Sequence, residues 1–397
     1  MKTDFRILQG IGWLVWAPII CRLDLQFREP LDRTLLHAAL TEVVGQSDWF
    51  HQSLYRQGDK YCLRDNPNPV PLYEGDALRA IPQETNGHLF YFSATEDTLI
   101  LTWDHFITDG CGGRRLLNAV AMAYCNLKYH AHFTVKPLTP VLPPEVLPGR
   151  PETLADAVPA SLPKSGLEPR ALLRVDKNRW IARALEREVK PFALLTFLTG
   201  KAVGIVKGKT EVSCPYAVDL REKLRQPDFL CNMAFTRSFN LRLTDSDASQ
   251  LRAADEAIRK ALEKSEEEWR SFYEKTMQKV DYLYRLHLSP EEKSSCFYQL
   301  FYADGYDCLL TYVGSIWEKD AADLERYVSG GRAYLYPHQG LGSDSPTADQ
   351  IAVAAISTSQ WLNLNLYALD RTEILADTFR KLLEDEQIPV TVELFTD

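Results

Sequence analysis

The chain has 397 residues, of which 45% are hydrophobic and 25% charged, and its formal net charge is −9. A chain this long exceeds what one core usually holds, so two domains are expected, and the composition is that of an ordinary globular protein. No basic stripe offsets the acidic balance, which argues against nucleic acid as a partner. A phosphate-rich ligand would need a local basic patch against that global sign. The eight cysteines, at 21, 62, 111, 125, 214, 231, 296 and 308, form no Cys-x-x-Cys pair and no Cys/His cluster at zinc spacing. No metal site is expected, and the thiols read as buried side chains of a reducing compartment. The N-terminus lacks the basic-then-apolar layout of a signal peptide. The longest apolar run, 11–21, contains Gly12 and Pro18 and is too short to span a bilayer. These features together predict a cytoplasmic protein with no membrane span.

In chain order, 19–25 reads as a strand. Asp32 is placed to cap a helix whose buried face is Leu35, Leu36, Ala39, Leu40, Val43 and Val44. Alternating residues at 52–56 and 60–64 flank Gln57-Gly58-Asp59, a hairpin signal, and 89–93 with 98–103 form a second one around Thr95-Glu96-Asp97. The second hairpin runs into Trp103-Asp104-His105-Phe106-Ile107-Thr108-Asp109-Gly110. A helical pattern follows, with Leu116, Leu117, Val120, Ala121, Tyr124 and Leu127 on one face. A histidine at the end of a buried strand is an economical way to aim one imidazole into a cleft, and Gly110 lets the chain turn sharply. His37 and His51 read as boundary residues. His130 and His132 lie beyond the helix with no third ligand, so they are not a metal site.

Eight prolines from Pro137 to Pro163, closed by Pro169, exclude sustained helix or central strand and mark an inter-domain linker. Beyond it, 190–206 reads as a buried helix and 211–218 as a strand running into Asp219-Leu220-Arg221. Asn232 then precedes the apolar stretch 233–239. The charged segment 246–287 has a one-sided apolar stripe, and its acidic run around Glu266 reads as a solvated face. Pro290 is read as the start of another helix. A strand at 308–312 ends at Val313-Gly314-Ser315. The stretches 332–336, 351–357 and 362–367 are expected to complete one sheet, followed by a helix at 374–385 and a strand at 390–394. No Gly-x-Ser-x-Gly elbow and no phosphate-binding Gly-x-x-x-x-Gly-Lys loop occurs, so a serine hydrolase or a kinase has no support.

The stretch from Asp104-His105 to Asp109-Gly110 resembles the His-His-x-x-x-Asp-Gly signature of the chloramphenicol-acetyltransferase-like superfamily. That group includes nonribosomal peptide condensation domains, alcohol acetyltransferases, polyketide-associated acyltransferases and plant BAHD enzymes. Asp104 stands where the signature has its first histidine. Val218-Asp219-x-Arg221, followed by Asn232, resembles a second superfamily block, and the two blocks fall in the family order. The resemblance implies an α/β fold of two chloramphenicol-acetyltransferase-like halves, each a mixed β-sheet flanked by helices, meeting as a V around a central cleft. The halves would be residues 1–160, carrying His105, and residues 161–397.

The same resemblance implies an acyltransferase. An acyl group would pass from a thioester, on coenzyme A or on the phosphopantetheine of an acyl carrier protein, to a hydroxyl or amine of a small-molecule acceptor. His105 would act as general base, with no acyl-enzyme intermediate and no permanently bound cofactor. Asp109, Gly110, Arg221 and Asn232 would be structural at the site, with a salt bridge from Asp109 to Arg221. A local reading stands beside that one: Asp109 caps the helix that follows, and Arg221 is a surface residue after a strand. Asp104 is expected to pack outward. Lys207, Lys209, Lys223 and Arg225 are the basic residues near the second block that could meet phosphates. The alternative function is a catalytically inert relative that serves as a binding or docking module.

Overall fold

The computed structural model describes residues 3–4, 20–47, 49–57, 60–105, 107–138, 170–230, 232–285, 287–288, 306–336, 351–368 and 371–395. Two five-stranded mixed sheets dominate. The first contains β2 (Ile20–Phe27), β5 (Leu72–Glu74), β6 (Phe90–Ala94), β7 (Thr98–Asp104) and β12 (Val328–Tyr336), in the order β12-β2-β7-β6-β5. The second contains β8 (Arg170–Asp176), β11 (Cys308–Ser315), β13 (Ile351–Ser357), β14 (Trp361–Tyr367) and β15 (Val390–Phe395), in the order β11-β13-β14-β8-β15. Two smaller ladders complete the strands. β1 (Thr3–Asp4) joins the hairpin of β3 (Gln52–Gln57) and β4 (Lys60–Asp65), and β9 (Glu211–Asp219) pairs with β10 (Ala234–Arg242).

Helices cover the sheets because their apolar stripes have nowhere else to go. α1 (Arg33–Gly45) starts at Asp32, whose carboxylate accepts from the amides of Thr34 and Leu35. It buries Leu36, Ala39, Leu40, Val43 and Val44 and packs beside α2 (Gly110–Tyr129). Of the predicted stripe on α2, Leu127 alone stands exposed. On the second sheet, α3 (Lys177–Glu186) leads into α4 (Pro191–Lys207), which is buried from Ala193 to Gly200 and packs on α7 (Thr372–Asp385). The charged segment 246–287 is two helices, α5 (Asp247–Leu262) and α6 (Glu266–Arg285), with Leu251, Ile258 and Trp269 on the buried side. No single described helix is long and apolar enough to cross a membrane. The segments after Pro137 and Pro290, and the boundary at residue 160, fall almost entirely outside the described residues.

One expectation of strand pairing is overturned. β12 does not join β13 and β14 in a sheet. It crosses to the first sheet and runs antiparallel to β2, from Val328 opposite Phe27 to Tyr336 opposite Ile20. Alternation in a strand shows which face is buried, not which strand lies alongside. The other edge of β12 meets the second sheet through side chains. Asn363 and Asn365 of β14 donate to the carbonyls of Gly331 and Ala333, each at 2.6 Å. Those carbonyls would otherwise be buried acceptors without a ladder, so the two amides join the sheets where backbone pairing stops. β8 is a further element that periodicity missed. It is interior to its sheet, between β14 and β15, and its apolar run, Ala171-Leu172-Leu173, is too short to distinguish from a loop next to so many prolines.

Candidate active site

β7 is buried along its whole length, between β2 and β6. It delivers the chain to a turn in which the Ile107 amide donates to the Asp104 carbonyl at 3.1 Å. Two indoles hold that turn. Trp49 Nε1 donates to the Ile107 carbonyl at 3.0 Å, and Trp103 Nε1 donates to the Thr108 carbonyl at 2.9 Å. Both tryptophans are buried, so neither bond competes with water. His105 is half-buried on this turn. Burial lowers its basicity, the Asp109 carboxylate and its own backbone pull the other way, and the imidazole ends below its ordinary value near 6.5. Burial thus favours the neutral, proton-accepting form of the ring.

Asp109 performs two tasks at once. It is the N-cap of α2, its Oδ1 accepting from the Gly112 amide at 3.0 Å. The same carboxylate meets Arg221 as a fork, Oδ1 to Nη2 at 2.8 Å and Oδ2 to Nη1 at 2.9 Å, and Oδ2 also accepts from the Met233 amide at 2.9 Å. The capping and ion-pair readings thus describe the same atoms. Both side chains are 2% exposed. Burial pushes the Asp109 carboxyl up, but the charge and hydrogen bonds of Arg221 outweigh it and hold the group below the usual carboxylate range. Arg221 also donates from Nε to the Phe229 carbonyl at 2.6 Å and from Nη1 to Asp219 at 3.0 Å. Asn232 is buried, and its Oδ1 accepts from the Ala234 amide at 2.7 Å. That short turn sets the neighbouring Met233 amide on Asp109.

The second part of the chain reaches the turn from two more directions. Thr108 Oγ1 donates to the Leu230 carbonyl at 2.6 Å. Arg114, in the second turn of α2, donates to the carbonyls of Val313 and Ser315 at 2.8 and 2.7 Å and pairs with Glu318 at 2.6 Å. The His105 turn therefore lies at the seam between the two sheets, beside the end of β11.

Gly110 is not in a conformation that demands glycine. A Cβ there would stand 3.0 Å from Val313 Cγ2, so a larger residue fits only if Val313 gives way by a few tenths of an ångström. Gly112 is more constrained still, since a Cβ would fall 1.8 Å from Thr108 Oγ1 and 2.5 Å from the Leu230 carbonyl. Gly112→Ala should break the Thr108–Leu230 bond and lower stability by about 1–3 kcal/mol, the usual range for overpacking. Urea unfolding measures this. A variant as stable as the parent would show that the seam can widen there without loss.

Asp104 departs from its expected outward position. It is 1% exposed, paired opposite Ile20, and strand alternation sets it on the sheet face that carries Arg22 and Asp24. Its charge, with that of Asp109, adds to burial in raising the Cys21 thiol. The four basic residues near the second block are mostly engaged within the chain. Lys209 pairs with Asp307 at 2.5 Å, Lys223 donates to the Leu262 carbonyl at 2.5 Å, and Arg225 pairs with Glu266 at 2.8 Å. No cluster among the described residues could hold a metal ion. Trp49, Thr108 and Arg114 are the site residues that sequence reasoning missed. Each acts through a partner far away in the chain, and none belongs to a periodic pattern.

No family model matches the sequence, and no curated protein matches it. Solved structures do. The epimerization domain from the third module of tyrocidine synthetase B is 14% identical over 97% of each chain, with a TM-score of 0.57. Polyketide synthase associated protein 5 from Mycobacterium tuberculosis is 13% identical over 96% of this chain and 98% of that one, at 0.60. The condensation domain from Monacolin K polyketide synthase is 11% identical over 97% of each chain, at 0.58. At such identities the likeness establishes the fold. The chain has the two-half α/β architecture of condensation domains along nearly its whole length.

Proposed function

We propose that the protein is an acyltransferase that moves an acyl group from a thioester to a hydroxyl or amine acceptor, with His105 as general base. The observation that carries this reading is a half-buried imidazole on a turn braced by two indoles at the seam between the halves, where burial favours its uncharged form. In the proposed reaction His105 takes the acceptor's proton as the acceptor attacks the thioester carbonyl. The tetrahedral intermediate collapses, the carbon–sulfur bond breaks, and the leaving thiolate recovers the proton from the imidazolium. The products are an ester or amide and a free thiol, and no acyl-enzyme forms. Asp109, Gly110, Arg221 and Asn232 hold the turn and do not touch the acceptor.

The donor is a thioester of coenzyme A or of a phosphopantetheinyl carrier protein. Two solved structures of the same fold bear the names of a peptide synthetase module and a polyketide synthase, which supports a carrier as partner. The test is acceptor-dependent thiol release from a panel of acyl-coenzyme A and acyl-carrier donors, offered with alcohols and amines. If no donor turns over, while partner binding is the same with and without His105, the docking-module reading replaces this one.

The pH dependence has a defined sign. The base must be neutral, and burial sets His105 below 6.5. The log of kcat/KM should fall by about one per pH unit on the acid side, with a midpoint under 6.5, and level off above it. An acid-limb midpoint at 7 or higher would remove His105 as the titrating base.

A further inference from the structure

A cavity of about 450 Å³ opens on a side of α2 formed by Arg115, Asn118, Ala119 and Met122. Its size falls within the range of about 300–1,000 Å³ typical of small-molecule sites. The floor is apolar: Ala119, Met122, Leu138 and Leu230 are all buried. The walls come from both parts of the chain, because Leu230 and Glu318 face residues of α2 across it. His105 is not among its lining residues.

The charges around the cavity are unequally committed. Arg114 holds Glu318 at 2.6 Å, and Lys136 holds Asp320 at 2.7 Å on the exposed rim. Asp228 is exposed at the rim, where water screens it. Arg115 is half-buried, and its nearest described carboxylate, Glu318, is 3.9 Å away, beyond hydrogen-bond distance. The inner charges above the apolar floor are thus Arg115 and Glu318, and of the two only Glu318 is already held at close range, by Arg114.

We propose that this cavity binds an amphipathic monocarboxylate, with the carboxylate on Arg115 and the aliphatic body on Met122, Leu138 and Leu230. A guanidinium fork matches a carboxylate and binds it more strongly than it binds a neutral hydroxyl. The aliphatic part gains by leaving water. Such a ligand would bridge the two parts of the chain at α2, and by binding only the folded state it would raise the melting temperature. The proposal stands independently of the acyl-transfer reading.

Calorimetric titration of the full chain with octanoate, octan-1-ol and octylammonium tests it. Octanoate should bind once per chain, and octan-1-ol about tenfold more weakly or worse, the equivalent of one charge-assisted contact. Octylammonium should not bind. Arg115→Gln should weaken octanoate by about tenfold, and Ala119→Leu, which fills the floor, should do the same. Arg115→Gln changes a half-buried side chain and keeps the test valid if Ala119→Leu fails to fold. His105→Ala should bind octanoate as the parent does. No saturable heat at millimolar octanoate, equal binding of octan-1-ol, or an Arg115→Gln variant that binds unchanged would each overturn the proposal.

Discussion

Arg221→Gln should destabilise the protein by about 3–5 kcal/mol, the range for removing one partner of a buried ion pair. The substitution strands Asp109 in a site that is 2% exposed, with Asp219 as the other carboxylate around the missing guanidinium. Asp109→Asn should be the milder change. Arg221 would keep its bonds to Asp219 and to the Phe229 carbonyl, and an asparagine can still accept from Gly112. In a double-mutant cycle the two should couple by well over 1 kcal/mol, within the roughly 0.5–3 kcal/mol expected of residues in contact. Chemical unfolding of the four proteins at neutral pH gives the answer, and near-additive losses would deny the forked pair. The pair also sets an acid limit. Asp109 is held below its ordinary value, so its contribution is complete above pH 3.8, the unfolded value. It is lost as pH falls through the folded value.

His105→Ala should reduce acyl transfer by about 10²–10⁴, the contribution usual for a positioned general base. The loss should fall on kcat, because the side chain is assigned to proton transfer rather than to holding substrate. Folding should survive, since Trp49 and Trp103 brace the turn through backbone carbonyls, not through the imidazole. A linkage effect distinguishes this variant from a damaged one. His105 has a folded value below its unfolded value, so between the two the unfolded chain binds more protons and stability falls as pH drops below 6.5. His88 is buried, lowered first by that burial, and contributes in the same direction. His105→Ala should remove only the first share of that acid loss. Full activity in a folded His105→Ala protein would end the assignment of His105 as base.

Local physics makes much of the molecule legible in its sequence. Asp32 as a cap, the stripe of α1 and the two hairpins follow from hydrogen bonds and burial within short stretches, and those forces act on whatever sequence is present. Asp109 as a cap is legible in the same way. Its forked pairing with Arg221 is not, because nothing local to either residue implies the other. Only the resemblance of two motifs points to that contact, and the structure shows one carboxylate serving both roles.

Most element types, and the position of His105 at the end of a buried strand, follow from the order of residues alone, whereas β5, β8 and α3 do not. Periodicity, caps and turn residues act over a few positions, so a short stretch suffices to specify them. Folding of the whole chain was needed to settle where β12 pairs, that β8 is an interior strand, that Asp104 is buried, that Trp49 reaches the turn, and that Thr108 and Arg114 reach from the turn and from α2 to the second part of the chain. Each of these depends on which surfaces meet after the chain has folded. A strand's alternation names its buried face but leaves its neighbour open, and an indole or guanidinium carries no sign in the sequence of the carbonyl it will find.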